Sequence, residues 1–324
     1  MNTRTTQRRH GRDVTGWTTG EKDLIATAAA HAPSVHNTQP WVLEFHDPHQ
    51  ISLYERLDRA LPRHDPLGRD RLISCGAALE HVRLAVRALG WTADLTLFPD
   101  ATQPDEVGRL LAEGRAEPSD VELARFAALA VRRSHRKPFA ARTTDDESRA
   151  LLTAHSTAGV GVRPIRGTDE LAVLAKLLHH TALVLRDDHA YQRELSCWTA
   201  SVGDPLPGDG VSAAIRGRLT LPWAGLVRRT TAVPDIPTLT DRLRGELLVV
   251  VETPDDGPHD HVRAGLAAAE IWLAATAAGL AASVLTQPFH LSEVRAGLVE
   301  SLSLNGFPQL LLRFGHPIDQ REEK

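Results

Sequence analysis

Two glycine-bounded segments decide the fold: GAALEHVRLAVRALG at positions 76–90 and GLAAAEIWLAATAAG at positions 265–279. Each has the apolar spacing of a helix, and each ends at a glycine. The segments align without a gap, and the alignment continues through a short strand-like stretch until Pro99 falls on Pro288. Identical residues in this register are Ala78 and Ala267, Leu84 and Leu273, Ala85 and Ala274, and Ala88 and Ala277. Because helix, glycine stop, strand and proline all agree, we predict an internal duplication.

Periodicity and turn residues predict the elements around these two helices. The first half is expected to hold a helix at 19–31 and strands at 41–45 and 50–55. The second half is expected to hold a helix at 145–155 and strands at 160–165, 247–252 and 309–314.

The chain divides into expected parts around these elements. Residues 1–18 and 320–324 are expected to be tails, residues 19–125 the first half, and residues 126–319 the second. Segment 201–237 is rich in Gly and Pro, which predicts a long irregular excursion that serves as a lid or only as a linker.

Composition and charge exclude several classes of protein. The 324 residues carry a formal net charge of -4, and the sequence pI is near 6.5. This balance argues against a main partner such as the nucleic-acid backbone, which needs a concentrated positive field. Cys75 and Cys197 lack CxxC spacing, so neither a disulfide framework nor a thiolate metal site is indicated. We expect a cytoplasmic protein.

The sequence predicts neither an export signal nor a membrane span. Arg8, Arg9 and Arg12 are not followed by the apolar stretch of a signal peptide. The longest apolar stretch, 264–285, is rich in alanine and is interrupted by Glu270. It is typical of a buried helix followed by a strand rather than of a transmembrane helix.

Common catalytic and metal motifs are missing from the sequence. There is no GxGxxG after a strand, no GKS/T phosphate loop, no GxSxG elbow and no HExxH. His179 with His180, and His259 with His261, lie in helical or Asp-rich contexts and are interpreted as solvated surface. No metal site is expected.

Two polar segments remain as candidates for a binding site. The first, APSVHNTQPW at positions 32–41, holds polar groups in a stiff turn between two prolines. The second, RRSHRKPF at positions 132–139, combines arginines with a serine hydroxyl, the groups that hold a phosphate. From composition alone, an ordinary helix-to-strand connection is the favoured interpretation of the first segment. A solvated basic linker is generally more common than a phosphate site, and the residues of the second segment alone do not decide between the two.

Together the two segments resemble the nitroreductase superfamily, which carries an Arg-x-Ser-x-Arg/Lys motif and an Ala-Pro-Ser-x-x-Asn-x-Gln-Pro-Trp loop. Here the loop precedes the basic motif, an order similar to the Acg-like branch, whose members look like a nitroreductase dimer fused in one chain. The endings GLAASVLTQP at 279–288 and PQLLLRFG at 308–315 are similar as well. The resemblance covers residues 19–317. It implies a duplicated α+β nitroreductase fold, with antiparallel-rich sheets surrounded by helices around long central helices.

The resemblance also implies a cofactor, FMN, and residues that hold it. Arg132 and Ser134 would bind the phosphate with Arg133 and His135 flanking, and Arg136 would lie at the N1/O2 edge of the flavin. Thr286 and Gln287 would lie near N5. From the first half, the loop residues Pro33, Ser34, Val35 and Asn37 would close over the ring, while Trp41 anchors the following strand.

Two departures from the family limit the expected site. The C-terminal basic pair of homodimeric members is missing here, with Arg321 as a possible substitute. The second half has Ser156-Thr157-Ala158-Gly159 where a second loop would lie, and the first half has no copy of the basic motif. One complete flavin site per chain is therefore expected.

The resemblance leaves three functions open. The leading one is an oxidoreductase in which NADPH or NADH delivers hydride to flavin N5 and a small organic molecule then collects the electrons. A variant is a dehydrogenase that oxidises a pathway intermediate. The alternatives are an FMN-storage protein with little turnover and a flavin-free scaffold. A monomer with an internal pseudo-dimer, or a weak homo-oligomer, is expected, with no nucleic-acid or membrane partner.

Overall fold

The computed structural model describes residues 16–46, 48–198 and 227–317. Its helices are α1 Thr19–Ala30, α2 Arg69–Ala88, α3 Asp120–Leu129, α4 Asp145–Leu152, α5 Gly167–Asp187, α6 His189–Cys197, α7 Ile236–Arg244, α8 Pro258–Ala277 and α9 Ser292–Leu302. Its strands are β1 Trp41–His46, β2 Gln50–Glu55, β3 Asp94–Leu97, β4 Glu106–Leu111, β5 Gly161–Pro164, β6 Leu247–Thr253, β7 Ala281–Leu285 and β8 Phe307–Gly315.

The strands form two four-stranded antiparallel sheets with the same topology. The first sheet has the order β1-β2-β4-β3 and the second the order β5-β6-β8-β7. Each sheet also has one irregularity at the same place: the register of β2 on β4 shifts after Leu53, and that of β6 on β8 shifts after Val251. The shared order and shared irregularity confirm the predicted duplication and the α+β class.

The strand that follows each central helix, β3 or β7, continues the ungapped alignment of the two halves. Leu95 pairs with Leu110 in the first sheet, and Val284 pairs with Leu312 in the second. Leu95 follows Gly90 at the same spacing at which Val284 follows Gly279. Both glycines adopt left-handed backbone, with φ +77° and +78°, and so end their helices in the same way.

Helices α2 and α8 cross in the centre of the molecule at two glycines. A Cβ built on Gly76 would overlap the carbonyl oxygen of Val262, and one built on Gly265 would overlap the carbonyl oxygen of Ile73. The two contacts are equivalent under the duplication. Ile73 lies three residues before Gly76, and Val262 lies three residues before Gly265. Only glycine permits two helix backbones to approach this closely.

The cores of the two halves share residues across this crossing. Leu273 of α8 packs in the first-half cluster with Ile25 and Ile51, and Ile73 of α2 packs in a second-half cluster with Trp272 and Val249. A further cluster joins α5, α7 and α9 to the other face of the second sheet. Strand β6 is buried on both faces, which explains its unbroken apolar run from Leu247 to Val251.

Most predicted elements agree with the structure within a few residues, but the central helices begin earlier than predicted. Helix α2 begins at Arg69 because the left-handed Gly68 turns the chain just before it, and Arg69 and Asp70 are buried as a pair. Helix α8 begins at Pro258, which the first turn tolerates because proline has no N–H to pair there.

The predicted excursion at 201–237 is corrected at its end. Residues 201–226 lie outside the described residues. Ile236 and Pro237 belong to the first turn of α7, where the side chain of Asp235 caps the helix by accepting a hydrogen bond from the Thr238 amide at 2.9 Å. Helices α3, α5, α6 and α9 were not predicted, and α3 spans the expected boundary between residues 125 and 126.

Among the described helices, none is both long enough and apolar enough to cross a membrane.

We expect Gly76→Ala and Gly265→Ala to destabilise the protein. The added methyl would meet a backbone carbonyl that cannot rotate away, and overpacking of this kind costs about 1–3 kcal/mol or more. Urea denaturation measures the change in unfolding free energy. Gly20→Ala is the control, since nothing lies within 4 Å of a Cβ at that helical position. Unchanged stability in both central variants would contradict the close crossing.

Candidate functional site

The loop between α1 and β1 is held in a strained conformation. His36, Asn37 and Gln39 all have positive φ, at 50°, 57° and 47°. Left-handed backbone costs a non-glycine residue of order 1 kcal/mol or more and is typical of binding sites. The Gln39 amide donates to Ser34 Oγ at 3.0 Å and helps to hold the loop. The Ser34 oxygen therefore has a structural role, which leaves its hydroxyl hydrogen for a ligand.

Arg132, which follows α3, is a buried cation with unused donors. Its Nη2 donates to the His31 carbonyl at 3.1 Å, and its guanidinium lies 4.7 Å from the centroid of the Trp272 ring. Its Nε and Nη1 are buried without a hydrogen-bond partner among the described residues. Burial, with Arg133 and Arg136 nearby, lowers the pKa of Arg132 to about 10. Unpaired donors on a buried cation are the donor set that an anion would complete.

The rest of the basic segment lies beside the second sheet. Ser134 forms a parallel bridge with Ala282 of β7, and the His135 amide donates to the Ala282 carbonyl at 2.8 Å. Burial also lowers the pKa of Arg136. Arg133 differs from its neighbours, because it is exposed and its Nη1 donates to the Ala130 carbonyl at 3.0 Å.

The structure brings the two sequence motifs together. Arg132 bonds to His31 at the end of α1, just ahead of the loop residues Pro33, Ser34 and Val35. Burial lowers the pKa of His36 well below its usual range, and electrostatic interactions with neighbouring His64 and Arg136 lower it further. Arg136 therefore lies close enough to the loop to act on it electrostatically.

Thr286 and Gln287 follow the end of β7, whereas Ser134 pairs with Ala282 near its start. Thr286 is buried, and its carbonyl accepts from Arg69 Nη2 at 3.3 Å. Gln287 begins a 3-10 turn that ends at His290. Next to it lies a small, partly open cleft with a cavity volume of about 10 Å³. The cleft is lined by Leu178, Thr181, Ala182, Leu185, Tyr191, Val227, Gln287 and Pro288.

A buried cluster of histidines was not foreseen from the sequence. His290 Nε2 lies 3.0 Å and His64 Nε2 3.5 Å from Asp70 Oδ2, while Arg69 Nη2 lies 2.9 Å from Asp70 Oδ1. Although burial alone raises it, His290 and Arg69 hold the pKa of Asp70 well below its usual range. Burial lowers the pKa of His290, which the Asp70 charge partly offsets. His64, Arg69 and Asp70 are close in sequence, but His290 is 220 residues from Asp70, and no local pattern joins them.

One histidine that was assigned to the solvated surface is buried. His261 is 8% exposed, and its Nε2 lies 3.1 Å from Asp256 Oδ1. The assignment was wrong because α8 begins before the predicted helix and covers this position. His180 is exposed and pairs with Glu293 at 3.2 Å, as a surface histidine does.

Comparisons with known proteins identify the family. No family model matches the chain. Two relatives from Mycobacterium tuberculosis are each 32% identical to it: "Putative NAD(P)H nitroreductase Rv3131" over 302 residues and "Putative NAD(P)H nitroreductase acg" over 307 residues. Both alignments cover 90% of this chain, and they cover 83% and 89% of the relatives.

Solved structures with similarity to the chain are more distant. A nitroreductase with bound FMN from Bacteroides fragilis has a TM-score of 0.39 and 15% identity, covering 62% of this chain and 90% of its own. The FMN-dependent nitroreductase NfnB from Mycobacterium smegmatis, in complex with NADPH, has a TM-score of 0.35 and 18% identity, covering 61% and 89%. The family assignment rests on the sequence relatives.

The fold is that of a class of proteins in which two similar α+β halves are fused in one chain. One half supplies the loop, and the other supplies the basic segment that lies next to it. At this identity and coverage, the chain belongs to the nitroreductase superfamily, in the branch of the acg proteins. The resemblance stated from the two motifs is thereby confirmed.

We expect inorganic phosphate to stabilise the protein through Arg132. A ligand that binds only the folded state adds about 2.7 kcal/mol at 100 times its Kd. A rise in Tm with phosphate measures this effect, and Arg132→Met should abolish it because the unpaired donors are lost. The control is the exposed Arg142→Met, which lies outside the basic segment. Equal phosphate stabilisation of wild type and Arg132→Met would contradict the anion site.

Proposed function

We propose that this protein is an FMN-binding oxidoreductase that uses NADH or NADPH to reduce a small organic acceptor. The observation that carries this proposal is the buried Arg132 guanidinium, whose Nε and Nη1 have no hydrogen-bond partner among the described residues. Leaving buried donors unpaired costs about 1–3 kcal/mol each, and more on a charged group, so the arrangement favours a bound anion such as a phosphate. Family membership makes FMN the anion to test first.

The length of β7 suits an extended ligand. Ser134 lies beside Ala282 near the start of this strand, and Thr286 follows its end. At ~3.3 Å per residue the intervening backbone spans ~13 Å. In the proposed arrangement Arg132 and Ser134 hold the phosphate at one end, and Thr286 and Gln287 meet the ring system at the other.

Arg136 is the proposed charge partner of the flavin ring. It is largely buried, and burial disfavours its charge. A buried guanidinium near the N1/O2 edge would stabilise the negative charge that this edge gains on reduction. The exposed Arg133 has its Nη1 on a backbone carbonyl and is proposed only to flank the phosphate.

The strained loop is the proposed cover of the ring from the first half. Pro33, Ser34, Val35 and Asn37 are all partly buried rather than packed in the core. Asn37 holds its positive φ of 57° without being a glycine. A loop already fixed in this way loses little entropy when a ligand binds.

The cleft beside Gln287 is the proposed site of the second substrate. When bound, FMN supplies hydride transfer at N5 between a reduced nicotinamide and an organic acceptor. The apolar leucines of the cleft favour a small, mostly apolar molecule, with Thr181, Tyr191 and Gln287 as its polar contacts. The chain's own contribution is to orient that molecule and exclude water from it.

One site per chain is proposed, because the first half has an aromatic ring at the position equivalent to Gln287. The register that pairs Pro99 with Pro288 also pairs Phe98 with Gln287. The Phe98 ring packs 4.6 Å from the His259 ring, centroid to centroid. Because α2 and α8 already supply the contact between halves, we propose a monomer with halves at 19–125 and 126–319.

Anaerobic mixing with NADPH and then NADH tests the proposed activity. We expect the visible absorption of the bound flavin to bleach with at least one nicotinamide, because the relatives of this chain are named NAD(P)H nitroreductases. A flavin that binds and stays oxidised with both would contradict the activity and favour a storage protein.

Arg136→Met tests the role given to the buried cation. We expect the flavin's reduction potential to fall and reduction by the nicotinamide to slow, since the charge that offsets the reduced ring is gone. The exposed Arg142→Met is the control and should leave the potential unchanged. A potential unaltered by Arg136→Met would contradict this placement.

A further inference from the structure

The cluster around Asp70 has the composition and burial of a metal site. One ligand atom each from His64, Asp70 and His290 lies within 4.8 Å of the other two. Imidazole nitrogen and carboxylate oxygen are ligands that zinc and similar divalent ions accept, at bond lengths of ~2.0–2.2 Å. The side chains of His64 and Asp70 are 1% and 0% exposed, and that of His290 is 13% exposed.

The distances from Asp70 Oδ2 to the two histidine nitrogens are close to those between ligand atoms on a small metal ion. Ligand atoms on a tetrahedral zinc ion lie ~3.3 Å apart, which follows from its bond lengths. In the cluster, Asp70 Oδ2 lies 3.5 Å from His64 Nε2 and 3.0 Å from His290 Nε2. The His64 and His290 rings lie 5.0 Å apart, centroid to centroid, and are inclined by 64°. Both rings can therefore direct a nitrogen to one point next to Asp70.

A second observation points to a missing ligand. Nδ1 of His64 and Nε2 of His36 are buried without a hydrogen-bond partner among the described residues, and Nε2 of His64 has only its 3.5 Å contact with Asp70 Oδ2. The His36 ring lies 4.7 Å from the His64 ring. Buried unpaired nitrogens are costly and rare, so a native structure that collects them in one place normally satisfies them with a water or an ion.

Charged residues around the cluster orient the Asp70 carboxylate and are compatible with a bound cation. Arg69 bonds to Asp70 Oδ1 at 2.9 Å and leaves Oδ2 toward the histidines, an outer contact of the kind that fixes metal ligands. The positive charge of Arg69 disfavours a metal cation nearby. Asp65 offsets it, because its carboxylate is buried close by and its Oδ1 has no partner among the described residues.

We propose that His64, Asp70 and His290 bind one divalent transition-metal ion such as Zn²⁺, with water in the remaining position. The ion would join the two halves of the chain, since His64 and Asp70 belong to the first half and His290 to the second. It would also fix the wall of the cleft, because the Tyr191 ring stacks on His64 at 5.7 Å. This inference does not depend on the proposed flavin.

Metal content measures the proposal directly. The full chain is stripped with EDTA, incubated with Zn²⁺, desalted and analysed by mass spectrometry for bound zinc. We expect about one ion per chain and a Tm above that of the stripped protein, as for any ligand of the folded state. His64→Gln and His290→Gln should lose the ion. The control His180→Gln, which changes an exposed histidine, should keep it.

A spectroscopic measurement on the wild type covers the case in which a variant fails to fold. Co²⁺ added to the stripped protein should give the intense visible bands of a four-coordinate nitrogen and oxygen site, and Zn²⁺ should remove them. Wild-type protein that retains no zinc and shows no such bands would overturn the proposal, with water left as the group that satisfies His64. Zinc retained equally by folded His64→Gln and His290→Gln would overturn it as well.

Discussion

The contact between α2 and α8 at Gly76 and Gly265 is the constraint on which the rest of the structure depends. Because no side chain separates the two backbones there, each central helix reaches into the core of the other half. Leu273 packs with first-half residues, and Ile73 packs with second-half residues. The halves therefore share their cores, and the loop of one is held against the basic segment of the other. Arg132 lies at that junction, where it contacts both His31 and Trp272.

The two halves keep one plan but differ in the groups they hold at equivalent places. Where the second half has Gln287 beside an open cleft, the first half has Phe98 packed on His259. The glycine contacts between α2 and α8 do not involve Gln287 or Phe98. The two equivalent positions can therefore differ without disturbing the helix crossing. The strained loop and the buried Arg132 both belong to the candidate flavin site. Backbone strain and unpaired buried groups are expected at sites that bind ligands, where they reduce local stability.

The sequence predicted what depends on local pattern and on duplication. The central helices, the strands Gln50–Glu55 and Leu247–Thr253 and the family followed from periodicity, spacing and two motifs. The start of α2 did not, since Arg69 and Asp70 are polar and their burial depends on partners far along the chain. The histidine cluster was missed for the same reason: His64 and His290 meet only through tertiary packing. His261 was misassigned because its helix begins earlier than the apolar pattern does.

Flavin stoichiometry is the most direct test of the central claim, that two duplicated halves build one site for FMN around Arg132. Titration of the ligand-free chain with FMN, followed by flavin fluorescence, should reach its end point at about one FMN per chain, and Arg132→Met should weaken the binding. An end point of two would mean that the place of Phe98 is not filled. No binding at all would contradict the account of the site while leaving the fold and family in place.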